Sequence, residues 1–188
     1  MLCKAMPRKN NEYYAVLTGR IDEPTIFSSW GDVHPRVTGC RADHAAFENL
    51  LEAQGFMEKK GVKQPKLVIK EGAGETTPLL GKEAFYAVAN GRNPGIYPYY
   101  HGKTKPEVDR FRGACHKHFR THSQAEAFIE DWKNSYADVC RREIKAKLDQ
   151  GFRPPNMKLR FDILQANAEY DISEDITKMT KKLIVKSE

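Results

Sequence analysis

The chain of 188 residues has no apolar run approaching the roughly 18 residues that a membrane span requires. Its opening stretch, MLCKAMPRKNNE, lacks the apolar segment of a secretory signal, so an intracellular protein of the cytoplasm or nucleus is expected. The four cysteines, Cys3, Cys40, Cys115 and Cys140, contain no CxxC pair, which predicts reduced thiols rather than a disulfide framework. No composition class is in excess either: 40% hydrophobic and 30% charged residues suit one ordinary domain or two small ones. The net charge of +6 permits an anionic partner without specifying one.

What the sequence does contain is a repeat. The octapeptide YYAVLTGR at 13 to 20 returns as FYAVANGR at 85 to 92. After the first copy come Ile26, Phe27, Trp30, Val37, Phe47 and the run Glu52-Ala53-Gln54-Gly55-Phe56. After the second come Ile96, Tyr97, Tyr100, Val108, Phe119 and Gln124-Ala125-Glu126-Ala127-Phe128 in the same order. A repeat kept in order over this length predicts two small domains of one design.

Each octapeptide is rich in strand formers, and Asp22-Glu23-Pro24 or Asn93-Pro94-Gly95 turns it into a second aromatic strand. A short helix is expected near 32 to 37 and 105 to 111, then a third strand ending at Phe47 or Phe119. Asn49 and Thr121 are good N-caps, with Glu52 and Gln124 three residues on to complete capping boxes. In the second unit, Ala125, Phe128, Ile129, Trp132, Tyr136, Val139 and Cys140 keep helical spacing with no breaker before Gly151. The expected class is α+β: two small domains, each a three-stranded antiparallel sheet with two helices, the second with an extended C-terminal helix. The expected division is an N-terminal tail 1–12, a diverged domain 13–57, a linker 58–82, a domain 83–150 and a partly helical tail 151–188. Within the linker, Lys66–Lys70 could dock as a strand, and in the tail Ile172, Ile176, Met179 and Leu183 would line one helix face.

The second unit resembles the small hybrid-binding domain at the N-terminus of eukaryotic ribonuclease H, also called the caulimovirus viroplasmin domain. The residues that carry the resemblance are Phe85-Tyr86-Ala87-Val88, Gly91-Arg92, Asp109-Arg110-Phe111, His116-Lys117-His118-Phe119 and Ala125-Glu126-Ala127-Phe128. The first unit shows a looser version through Tyr14-Ala15-Val16, Gly19-Arg20, Trp30, Val37, Phe47, Ala53 and Phe56. The resemblance implies binding of RNA·DNA hybrid or double-stranded RNA through backbone and minor-groove contacts, with a tryptophan and a Phe-Lys-Lys-Phe segment gripping the DNA strand. Neither unit keeps both features. The first has Trp30 but His44-Ala45-Ala46-Phe47, whereas the second has Tyr100 and His116-Lys117-His118-Phe119.

Charge ranks the units without reference to any family. Residues 13–57 hold three Lys/Arg against six Asp/Glu, a net −3, whereas 85–122 hold seven against two, a net +5, with four of the six histidines. The second unit is therefore the expected binder, through Arg92, Tyr100, Lys103, Lys105, Arg112, His116, Lys117, His118 and Arg120, with a secondary site at Arg20 and Trp30. No cofactor is called for. A zinc site at Cys115, His116 and His118 is disfavoured, because strand alternation puts the two histidines on one face and the cysteine on the other. Catalysis is not expected: only 38 residues follow position 150, too few for a carboxylate-lined metal domain of the ribonuclease H kind. The competing expectation is a protein-interaction or scaffold module that has lost nucleic-acid binding, with a protein partner or a second copy of the chain held by the acidic first domain.

Overall fold

The apolar octapeptides are central strands covered on both sides, which is why each reads as a nearly continuous hydrophobic run rather than an alternating one. In the computed structural model, which describes residues 10–157 and 162–164, β1 (Tyr13–Thr18) lies between β2 (Thr25–Phe27) and β3 (Asp43–Phe47), antiparallel to both. Likewise β5 (Phe85–Asn90) lies between β6 (Gly95–Tyr97) and β7 (Cys115–Phe119). Both central strands carry a register shift at the same place, between Val16 and Thr18 and between Val88 and Asn90.

The helices follow the expected order. In the first unit α1 (Trp30–Val37) covers the Tyr14, Val16 and Phe27 face, and α2 (Leu50–Lys59) covers the Ala15 and Ile26 face. In the second, the wide turn Tyr100–Thr104 leads into α3 (Lys105–Val108), and α4 (His122–Asp149) runs for 28 residues. Thr121 forms the full capping box with Gln124, and Asn49 accepts from the Glu52 amide. The α3 helix is shorter than the expected 105 to 111, because Asp109 is extended and Arg110 adopts a left-handed φ of +55°. Among the described residues no helix is long and apolar enough to cross a membrane.

The first sheet has four strands rather than three. Residues Lys66–Val68 form β4, which pairs parallel with β2. This strand reaches across the segment read as a linker, and Lys70 just beyond it meets Asp32 on α1 at 3.4 Å and Asp131 on α4 at 2.9 Å.

That bridge belongs to an extensive junction, because α1 packs directly against α4. A Cβ on Gly31 would come within 2.6 Å of the Phe128 carbonyl oxygen, so the two backbones touch where only glycine leaves room. Three residues along α1, the buried His34 spans the crossing. Its Nδ1 accepts from Trp132 Nε1 at 3.2 Å, and its Nε2 donates to the Ala114 carbonyl at 3.1 Å. The Arg36 guanidinium bonds Ser135 and, at 3.1 Å, Asp138, while the Ser135 hydroxyl donates to the Asp32 carbonyl at 2.7 Å. Beyond Gly151, Ile163 and Leu164 pack on Val139, Trp132 and Tyr136. The expected helical face at Ile172, Ile176, Met179 and Leu183 lies outside the described residues.

Candidate nucleic-acid interface

The Gly-Arg pair after each central strand has a mechanical role. A Cβ at Gly19 would lie 2.7 Å from the Arg36 carbonyl oxygen, and one at Gly91 would lie 2.8 Å from that of Glu107. Glycine thus lets each strand end touch the last turn of the following helix. The next residue then satisfies the carbonyls that a helix C-terminus leaves unpaired. Arg20 donates to Pro35 at 2.9 Å and to Thr38 at 2.6 Å, whereas Arg92 donates to Pro106 at 2.5 Å and to Asp109 at 2.9 Å. Arg20 reaches on to Gly39 and Ile163. Both arginines expected at binding sites are thus helix-end clamps, and Arg92 keeps an exposed outer side.

A ring-lined surface forms on one face of the second sheet. Strand alternation sends Tyr86, His116 and His118 outward together, and Tyr100 closes over them from the wide turn. Tyr100 lies 6.0 Å from the His116 ring at 26° and 5.8 Å from Tyr86, and His118 lies 5.8 Å from Tyr86 on its other side. Burial holds the His116 imidazole below its ordinary pKa. Lys103, Lys105 and Arg112 stand exposed on the turn, on α3 and on the loop before β7, with Lys105 paired to Asp109 at 2.8 Å.

The same alternation turns Lys117 the other way, into the junction between the units. Its ammonium donates to the Asn11 carbonyl at 3.0 Å, lies 3.7 Å from Glu12, and sits 5.8 Å from the centre of the Tyr14 ring. Only 13% of the side chain is exposed. Burial lowers its pKa, and Glu12 partly offsets that. Burial likewise pushes the Glu12 carboxyl up, but Lys117 and the bonds from Thr76 and Thr77 together hold it below the ordinary value. Arg120 is drawn to the same corner, where it donates to the Thr77 carbonyl at 3.3 Å. Glu12, Thr76 and Thr77 had no local signal in the sequence, because the bonds that join Thr76 and Thr77 to Glu12 span 64 residues or more. Lys117 did have one: a residue between two that share a strand face must point away from it.

Where the two units meet, a cleft of about 630 Å³ opens to solvent. Tyr14, Trp30 and residues 44 to 46 of β3 form one wall, and residues 116 to 118 of β7 form the other. Trp30 is half-buried and packs against the cores of both units while stacking on His44, with ring centres 6.2 Å apart at 28°. It is an anchor and a cleft wall at once. The model of the ribonuclease H1 N-terminal domain family matches the chain twice, over residues 12–57 and 84–129. Both units resemble the domain of that family.

The matches place the two ribonuclease H1 N-terminal domains on the two repeated units, so the octapeptide recurs because it is the central strand of each copy. The family carries nucleic-acid binding as its general property, and it is the N-terminal, non-catalytic part of its namesake enzyme that is matched. No curated protein and no solved structure matches the chain. Cys115 is fully buried on the face opposite His116 and His118, its thiol pushed well up by burial, and no three metal-ligating side chains converge among the described residues.

Proposed function

We propose that this protein binds RNA-containing duplexes, RNA·DNA hybrid or double-stranded RNA, through backbone and minor-groove contacts with little sequence preference, and that the second unit leads. The observation that carries this reading is the surface of Tyr86, Tyr100, His116 and His118 on a ribonuclease H1 N-terminal domain, within a segment of net +5. Rings stack on sugars or bases, and the flanking cations exchange condensed counterions for phosphate contacts. An A-like duplex offers a wide, shallow minor groove bearing 2′-hydroxyls, which such a surface can follow. Arg92, Lys103, Lys105, Arg112 and Arg120 supply the cations in this reading. Lys117 holds the wall from which His116 and His118 project.

Fluorescence anisotropy with labelled hybrid, double-stranded RNA and double-stranded DNA, at low and high salt, tests the reading. Tighter binding of the two RNA-containing duplexes is expected, with log affinity falling by about 0.9 per decade of salt for each phosphate neutralised. Absence of binding at low salt would refute it and leave the protein-interaction role as the better account.

A further inference from the structure

Each unit builds the same aromatic-imidazole pair. Val16 faces His44 across the first sheet as Val88 faces His116 across the second, so the two histidines hold equivalent positions. Each stacks on the aromatic residue that opens the preceding helical segment, Trp30 on His44 at 28° and Tyr100 on His116 at 26°. Two independent binders on a flexible tether would present these pairs in unrelated directions. Here β3 and β7 are edge strands of their sheets, and both border one cleft.

The direction of the two strands is set by contacts that do not line the cleft. The Gly31 crossing, the His34 bridge and the Arg36 to Asp138 pair hold α1 on α4, and Lys70 ties both helices together. At the cleft itself Lys117 bonds Asn11 across the junction. The carboxylate nearest to that ammonium, Glu12, has a side chain only 4% exposed and is bonded by Thr76 and Thr77, so it presents no open negative surface to a ligand. What the cleft presents is flat rings, imidazoles, Asn10, Asn11 and one cation, Lys117. This chemistry suits a sugar-phosphate strand passing between two walls, with phosphates against imidazole N–H groups and sugars against the rings.

We infer that the two units form one composite site, in which a single nucleic-acid strand of the bound duplex runs through the cleft and is contacted by Trp30 and His44 of the first unit as well as by His116 and His118 of the second. The inference rests on the nucleic-acid reading above and adds two things to it. The first unit, although acidic overall and without the lysines of its third strand, contributes directly to binding. Each chain takes one duplex rather than two.

The test uses the whole chain and the labelled RNA·DNA hybrid. His44 is exposed, so His44→Glu places a carboxylate on the first wall with little cost to folding, which circular dichroism checks. His116→Glu does the same on the second wall, and Gln54→Glu, on α2 beyond the opposite face of the first sheet, makes an equal charge change far from the cleft. His44→Glu is expected to weaken binding about tenfold, to within a few-fold of His116→Glu, because a like charge is set against phosphate. Gln54→Glu is expected to stay within about twofold of the parent, since a charge a Debye length away is largely screened. Titration well above Kd is expected to saturate at one short hybrid per chain. If His116→Glu weakens binding and His44→Glu does not, or if two hybrids bind per chain, the composite site is overturned while the reading of the second unit stands. If the parent protein binds and neither histidine variant differs from it, both are overturned.

Discussion

His34 makes the junction between the units sensitive to acid, and the size of the effect follows from its surroundings. Both ring nitrogens are used, one accepting from Trp132 and one donating to the Ala114 carbonyl, so the neutral ring fits and the protonated ring loses the Trp132 bond. Burial lowers its pKa to about 4 from an ordinary 6.5, only partly opposed by the bond to Ala114. An imidazole whose pKa is depressed by folding contributes stability that is whole above the unfolded pKa and is lost as pH falls toward the folded one. Between about pH 7.5 and 4.5 that loss amounts to about 2 to 3 kcal/mol. His34→Gln keeps an acceptor for Trp132 and a donor for Ala114 but cannot titrate. Urea unfolding followed by tryptophan fluorescence across this range should show the parent losing about 2 to 3 kcal/mol more than the variant. Carboxylates such as Glu12 also titrate, but they are common to both proteins and cancel in the difference. Equal losses in parent and variant would refute the assignment of His34 as a neutral bridge.

Two further outcomes distinguish close packing from free surface. Gly31→Ala should cost about 1 to 3 kcal/mol, because its methyl group meets backbone of α4 that cannot yield without moving the helix; Gly55→Ala on α2, where a Cβ meets nothing within 4 Å, should instead stabilise by about 0.5 to 1 kcal/mol, with urea midpoints as the readout. Lys117→Met should destabilise by about 3 to 5 kcal/mol by leaving the Glu12 carboxylate buried without its cation, and the double variant Glu12→Gln with Lys117→Met should recover part of that loss in a thermal melt.

The readable parts of this fold are those with a local cause. Thr121 with Gln124 marks the start of α4, unbroken apolar spacing carries it to Asp149, and the repeated octapeptide marks the central strands. The Gly-Arg pair was visible as a motif, but its role was not, since the carbonyls it touches lie some 15 residues away, from Arg20 to Pro35. The docking of α1 on α4 was hidden for the same reason. Nothing in the spacing of Gly31, His34 and Arg36 tells a helix that covers its own sheet from one that also meets another unit. For the site, His116 and His118 share a face as their spacing requires and Lys117 departs from them by the rule of strand alternation, whereas Tyr100 reaches that face from the wide turn, which no spacing announced.

Duplication ordinarily leaves one copy under selection and the other at liberty to change. Here Phe128 of the second copy rests on Gly31 of the first, and Trp132 donates its hydrogen bond to His34. A change on that side of either copy is felt by both. The edge of β3, which bears no such contact with α4, is where the lysines expected of the family are replaced by alanines. The first copy is therefore divided along its own structure: a helix whose packing is shared with its sister, and an edge strand that faces the open cleft.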